Sequence, residues 1–423
     1  MGEIQIPFGA ISSAAADLAD PENDLVNYFL NIDTQPIATV IEKAFGSRGP
    51  KGYGVSLVLS RILKVKQVFI SDRILAKRLK EVATYRRLCE FCDGKVPAHN
   101  TYSTLRKRLG VEGYAEIHAG FVRSAHALNL LDPKLPMLPK NRRKGLIVIA
   151  DSTTIQAYCS TVGKKQPDGT WLFTDHSVTF GRPHHRDKFP IGHKAHSLIA
   201  ITGVPLVTEI SSRNAADQDH LFPLLDQFSK RFPEMKIAYL VLDRGYDAEP
   251  IHRKLYEDYD IIPIIIRKKT VYPKGFTADG VPLCIWGQQM SRTGVDYARK
   301  RSRYACRKIC QRAQQMTFHC PYLGSSFPNG QIYYTKFQDG YRKYGPAIPG
   351  SIIYKKLKPM RTAIERNYGL VKENRYRMEH TNTYMGFDNV LMHVIEHDMS
   401  LTLDVVFMFK RYAKISPLLN LNY

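Results

Sequence analysis

Along the chain, apolar residues recur first at helical spacing and later in short continuous runs. The stretch YGVSLVLSRILKVKQVFISDRILAKRLKEV (53–82) has the helical period, and Ser71-Asp72 offers an N-cap and first turn for a second helix. PAHNTYSTLRKRLG (97–110) repeats the device: Thr101 can cap a helix that carries Arg106, Lys107 and Arg108 and stops at Gly110. Three prolines and a basic cluster in PKLPMLPKNRRKG (133–145) predict a linker. Beyond it the texture changes to strands. LIVIADS (146–152) is an apolar run ending on Asp151, and GHKAHSLIAI (192–201) and VPLVTEIS (204–211) flank Thr202-Gly203 as an antiparallel hairpin. A helix over 215–232, a strand over 237–243 ending on Asp243, a helix over 247–257 and a strand over 260–266 complete a mixed α/β layer.

From about 267 to 350 the periodicity breaks, and Arg292 to Arg312 carries eight Lys or Arg against one Asp. That segment reads as a basic insertion rather than more sheet. Helical spacing returns at about 353–380 and again in the apolar 389–409. The expected organisation is a helical N-terminal domain (1–135), a core begun over 141–266, the insertion (267–350), closing helices (351–412) and a tail (413–423). The short N-terminal helices with a basic face suit a helix-turn-helix-like DNA-binding domain, with a bundle bearing a solvated basic face as the alternative.

Composition narrows the partners. A chain of 423 residues with 44% hydrophobic content can bury several cores. It has no apolar run near the roughly 18 residues of a membrane span, and its start lacks a basic, continuously apolar leader. A cytoplasmic protein without membrane partners is the expectation. Net charge is +22, which favours a polyanion such as nucleic acid over a merely soluble basic protein. Seven cysteines, an odd number at scattered spacing, fit a reducing compartment.

Two core strands thus end on an aspartate, Asp151 and Asp243. Carboxylates at strand ends suit a hard, oxygen-ligated cation, which would remove their mutual repulsion. A third acid is offered by MRTAIERNYGLVKENR (360–375), where Arg361, Glu365, Tyr368 and Lys372 fall on one helical face. Either Glu365 completes a metal site with Arg361 and Lys372 gripping phosphates, or the stripe is a salt-bridge ladder.

These stretches together resemble the DDE transposases of prokaryotic insertion sequences, of the group with a Tyr-Arg-Glu-Lys signature around the catalytic glutamate. LIVIADSTTI is similar to the first-aspartate strand, and GHKAHSLIAITGVPLVTEISSRNAADQDHL to the Gly-(Tyr/His)-Lys-x-His hairpin with its Asn-x-x-Asp helix start. LVLDRGYD resembles the second-aspartate strand, and RTAIERNYGLVK keeps Arg, Glu and Lys at the signature spacing. ISDRILAKRL…YRRLCEF…VPAHNTYSTLRKRLG is similar to the helical region ahead of such domains. The signature tyrosine is replaced by Lys358, with Tyr354 one turn earlier and Tyr368 one turn after Glu365 as candidate substitutes.

The resemblance implies an RNase-H-like mixed-sheet core interrupted by an insertion before the last catalytic helix. It implies that Asp151, Asp243 and Glu365 hold two Mg²⁺ ions, with Mn²⁺ as a substitute. It also implies cleavage of transposon-end phosphodiesters and transfer of the 3′-OH into target DNA. The partners would be double-stranded DNA, both terminal inverted repeats and target, and a homodimer or larger assembly. The alternatives are a catalytically silent DNA-binding derivative, or a nuclease of this fold that cleaves without joining.

Further DNA-binding candidates are Arg244, His193, Lys194, Arg106, Lys107 and the run Arg299, Lys300 and Arg301. Packing roles for His193 and His196, a helix cap for Asn214 and Asp217, an ion pair for Arg244 and a core place for Trp286 are the alternatives. Cys284, Cys306, Cys310 and Cys320 offer thiols for a structural Zn²⁺, or are simply free and buried. Cys89 and Cys92 are expected in the core.

Overall fold

The computed structural model describes residues 21–45, 53–91, 95–132, 142–181, 191–306, 320–322 and 326–415. Two compact units form. The first gathers Met1–Lys134, Ala150–Met235 and Ala363–Tyr423; the second holds Leu135–Ile149 and Lys236–Thr362. The N-terminal helices therefore share a unit with half of the core and with the C-terminal helix.

Those helices are α1 (Pro21–Leu30), α2 (Gln35–Phe45), α3 (Gly54–Lys66), α4 (Asp72–Glu81), α5 (Ala83–Leu88) and α6 (His99–Ala127). Ser71 caps α4 as its sequence predicts, its side chain accepting the Ile74 N–H. Thr101 is not a cap: α6 starts at His99 after Ala98. The helix does break at Gly110, whose φ of 60° is a left-handed conformation, but the chain resumes as helix to Ala127.

Strand β1 (Leu146–Gln156) runs on past Asp151, so that acid lies within the strand rather than at its end. What changes at Asp151 is burial: residues 146–150 are buried and 151–154 half-buried. Then follow the short β2 (Lys164–Lys165), β3 (Trp171–Leu172) and β4 (Thr179–Phe180), β5 (Ile191–Ala200), β6 (Pro205–Ser212) and α7 (Asp217–Arg231). In this unit β5 pairs with β1, with β4 at its start, and antiparallel with β6 along most of its length. Gly203, at φ 95°, makes the tight turn of the β5–β6 hairpin.

The second unit takes the first residues of β1 with β7 (Ile237–Leu242), α8 (Glu249–Glu257) and β8 (Ile262–Ile265). β7 and β8 are parallel and wholly buried, as their unbroken apolar runs require. Antiparallel β5–β6 and parallel β7–β8 make the strand pairing mixed, as expected. The insertion carries its own antiparallel sheet, β9 (Ser291–Asp296), β10 (Arg301–Ala305) and β11 (Ile332–Lys336), in the order β11-β10-β9. Its return path holds α9 (Tyr341–Tyr344) and α10 (Ile352–Leu357). In the first unit again, α11 (Thr362–Gly369), widening to a π-helical turn over Leu370–Asn374, precedes α12 (Met378–Thr381) and α13 (Phe387–Ile415).

Helix α13 carries polar groups where an apolar helix would carry none. Met392, Ile395, Met399 and Leu403 join the core of the N-terminal helices, yet Glu396, Asp398 and Asp404 are buried beside them. Arg61 from α3 grips Glu396 with two hydrogen bonds, Nε–Oε1 at 2.8 Å and Nη2–Oε2 at 2.6 Å, and both side chains are shielded from solvent. Arg106 joins Glu396 at 3.4 Å, and Arg61 also pairs with Asp72, which Lys64 approaches at 3.3 Å. Burial alone would raise the Glu396 carboxyl, but Arg61 and Arg106 outweigh it and hold it low. Glu396→Ala leaves two buried guanidiniums short of a partner and is expected to cost about 3–5 kcal/mol, read as a lower urea midpoint at unchanged m.

Candidate active site

In the first unit, the Asp151 carboxylate accepts the Ser152 N–H at 2.8 Å. Helix α11 docks against this strand. The Tyr368 hydroxyl donates to the Asp151 main-chain carbonyl at 2.9 Å, and the Asn367 amide donates to the Gly203 carbonyl at 2.6 Å. Glu365, one turn before Tyr368, is exposed. Lys372, on the π turn, pairs with Glu379 at 2.9 Å. The helix expected to carry the third acid is thus fastened to the strand of the first.

The tyrosines considered as stand-ins at the signature position are engaged inside the protein. Tyr368 is on Asp151, and the buried Tyr354 donates to the Ile265 carbonyl at 3.0 Å within the second unit.

In the second unit, Asp243 follows directly on β7 and caps a single 3₁₀ turn, Arg244–Tyr246, by accepting the Arg244 N–H. Asp243 is half-buried rather than buried, and Arg244 is exposed with no carboxylate partner among the described residues. The buried acid of this stretch is Asp247, which the sequence reading passed over. Its Oδ1 meets Arg342 Nε at 3.0 Å, His252 Nε2 at 3.1 Å and Arg267 Nη1 at 3.3 Å; its Oδ2 meets the Lys268 N–H at 2.7 Å and Arg342 Nη2 at 2.8 Å. Burial opposes ionisation here, but these donors together hold the carboxyl well below the usual range. Asp247 ties the turn after Asp243 to the end of β8 and to α9. The available signal was an acid opening an amphipathic helix, which reads as a cap; its partners lie far along the chain. Asp247→Ala strands Arg267 and Arg342 and is expected to cost about 3–5 kcal/mol of unfolding free energy, measured by urea titration.

Several expected DNA contacts are spent internally. Arg106 is buried, bonded to Glu396 and the Asn389 carbonyl and packed over the Tyr384 ring, so it leaves the contact set. His193 is buried on Ser177 at 2.7 Å and near Asp175 at 3.9 Å, and burial lowers its pKa. Lys194 is half-buried and paired with Asp217 at 3.1 Å. Asp217 is therefore an anchor for Lys194 rather than a cap, and Asn214 accepts from Ser212 and Thr179. Lys107 and Arg299 stay exposed, while Lys300 pairs with Glu257 and Arg301 with Asp296. Trp286, for which a core place was the alternative, is 47% exposed.

Cys284 and Cys306 are buried in one apolar cluster with Met290, Tyr304 and Ile348, and Cys306 Sγ accepts the Gln331 N–H. Cys310 and Cys92 lie outside the described residues, and Cys89 is buried as expected. Among the described residues no group of three or more His, Cys, Asp or Glu side chains stands ready to hold an ion. The donor chemistry of Asp151, Asp243 and Glu365 nonetheless suits a hard divalent cation: all three are carboxylates, and none is fully buried.

Two family matches bear on these elements. The transposase DDE domain family matches residues 142–336, and a family described as transposase domain (DUF772) matches residues 14–108. No curated protein matches the chain. The chain belongs to the DDE transposases of insertion sequences and is an enzyme of that class. The family implies DNA as its substrate and divalent metal in its chemistry. No helix among the described residues is long and apolar enough to cross a membrane. The DDE match ends at residue 336, short of Glu365.

Behind that docking lies a cavity of about 20 Å³, room for one water, lined by Thr153, Ser197, Asn367, Tyr368 and Asp398 among others. Asp398 is buried with a single hydrogen bond, from Thr208 at 2.8 Å. Burial raises its pKa to about 7, against the pull of Thr208. An acid whose folded pKa lies above its unfolded value binds more protons when folded, so stability falls as pH rises from about 4 to 7. Asp398→Asn removes this slope, about 1.4 kcal/mol per pH unit at most, and is expected to be more stable than the parent at pH 8 but not at pH 4.

Proposed function

We propose that this transposase cuts DNA at the ends of its element and joins the freed 3′-OH to target DNA at one site built from Asp151, Asp243 and Glu365 on an RNase-H-like core. The observation that carries this reading is the hydrogen bond from Tyr368 to the Asp151 carbonyl, which fastens the Glu365 helix to the first-aspartate strand. The position of Asp243 directly after a buried parallel strand supports it.

The three carboxylates would hold two Mg²⁺ ions, with Mn²⁺ as a substitute; bound there, divalent metal activates the attacking oxygen and neutralises the leaving oxyanion. The protein's own contribution is to place hard oxygen donors on rigid elements. β1 fixes Asp151 through the Ser152 N–H, the 3₁₀ turn fixes Asp243, and α11 carries Glu365 to a solvent-facing position. Arg361 and Lys372 would hold backbone phosphates beside these acids. Arg244, Lys107 and Arg299 would add sequence-independent phosphate contacts. Transposon ends and target would be brought together in a dimer or larger assembly.

The test is a nicking and joining assay on labelled duplex carrying the element's ends, in Mg²⁺ or EDTA. Asp243→Asn is expected to lose cleavage by at least a hundredfold while its DNA affinity stays within about twofold. Binding without cleavage by the unmutated protein would instead identify a silent DNA-binding derivative. Cleavage that never proceeds to joining would identify a nuclease.

A further inference from the structure

The sheet of the insertion has two unlike faces. Residues directly opposite one another in an antiparallel pair share a face. The register therefore puts Ser302, Tyr304 and Thr335 on one side of the sheet and Arg301, Arg303, Tyr334 and Lys336 on the other. The first side is interior: Ser302, Tyr304 and Thr335 are buried, and Tyr304 joins an apolar cluster with Val281, Met290 and Ile348. The second side is open. Tyr334 and Lys336 are exposed, Arg301 and Arg303 are half-buried, and Gly294 of β9, opposite Arg303, is exposed as well.

The charge on that outer side is arranged against itself. Arg301 stands directly opposite Lys336, and Arg303 follows two residues along the same strand, about 7 Å away. Like charges facing each other across a strand pair weaken a sheet. Asp296 is the one acid in the three strands, and it already holds Arg301 at 3.3 Å and Arg299 at 4.0 Å. Arg301 also lies over the Tyr334 ring at 4.2 Å. Neither Arg303 nor Lys336 has an ion pair or a side-chain hydrogen bond among the described residues. No Arg303 nitrogen is sealed from solvent, so its donors are within reach of a ligand.

We propose that this outer face is a docking surface for the backbone of duplex DNA. Arg303 and Lys336 bind phosphate oxygens, and the Tyr334 hydroxyl donates to another. Arg301, oriented by Asp296 and Tyr334, adds to the field without needing a phosphate of its own. Gly294 leaves no side chain to keep a phosphate away from Arg303. A polyanion on this face offsets the repulsion between Arg301 and Lys336 that the strands leave uncompensated. The surface rests on DNA being the substrate, and it adds to that reading a second place, on the insertion, where the duplex is held.

The experiment measures affinity of the full chain for a mixed-sequence 40-base-pair duplex between 50 and 300 mM KCl. Loss of one phosphate contact lowers the slope of log K against log[salt] by about 0.9, so Arg303→Gln and Lys336→Gln should each lose about that much and bind severalfold more weakly. The double variant should lose about twice as much. Arg303→Lys should retain most of the slope. Lys230→Gln, at an exposed lysine on α7 outside the proposed contacts, should leave the slope unchanged. An equal fall there would reveal an effect of net charge alone and overturn the surface. Without DNA, the thermal midpoint of Lys336→Gln should equal or exceed the parent's; a lower midpoint would make Lys336 a structural residue and overturn its assignment. Unchanged slopes in both glutamine variants, with a parent that binds duplex in a salt-dependent way, overturn the surface alone. A parent with no salt-dependent binding removes the DNA reading and the surface together.

Discussion

The first unit depends on one dry cluster of charge. Glu396, on the C-terminal helix, is gripped by Arg61 from α3 and approached by Arg106 from α6, and Arg61 reaches on to Asp72 at the start of α4. Each group is costly to bury alone and tolerable only in the company of the others. A slip of α13 by one turn against α3 would leave Glu396 and Arg106 unmatched and Arg61 with Asp72 alone. Apolar residues along the same helix supply most of the driving force, but Met, Ile and Leu side chains accept many registers. The cluster accepts one. Asp404 repeats the device farther along α13, pairing with Lys66 at 2.6 Å and Arg375 at 3.2 Å.

The alternation of strands and helices from 191 to 266 was legible because apolar runs and turn residues report local structure. The β5–β6 hairpin, α7, β7, α8 and β8 all fall within a few residues of their expected places. What sequence could not show is which polar residues are buried. EHDMSL in α13 and Arg106 in α6 carry the polar letters of a solvated face, yet both are interior because their partners come from the opposite end of the chain. Asp247 escaped for the same reason, since Arg267 and Arg342 are far from it in sequence. Asp151 was placed at a strand end because burial, not strand structure, stops there.

The acids of the candidate site were legible as residues, through the order and spacing of their motifs. Their mounting was not. That Tyr368 reaches back to the Asp151 carbonyl and Asn367 to the hairpin turn follows from packing, and no spacing rule predicts either contact. The two kinds of carboxylate in this protein differ accordingly. Glu396 and Asp247 are enclosed among several donors, whereas Asp151 and Asp243 are half-buried and Glu365 is exposed.

That the C-terminal helix completes the core of the N-terminal helices has a bearing on synthesis. While the ribosome is still translating, α1 to α6 have emerged but lack Met392, Ile395, Met399 and Leu403 to cover their apolar side, and Arg61 and Arg106 lack their acid. The N-terminal region cannot reach its final packing one piece at a time from the front. The first unit closes only after α13 has left the exit tunnel, so a nascent or prematurely truncated chain carries an exposed apolar face and lacks the acid that Arg61 and Arg106 share.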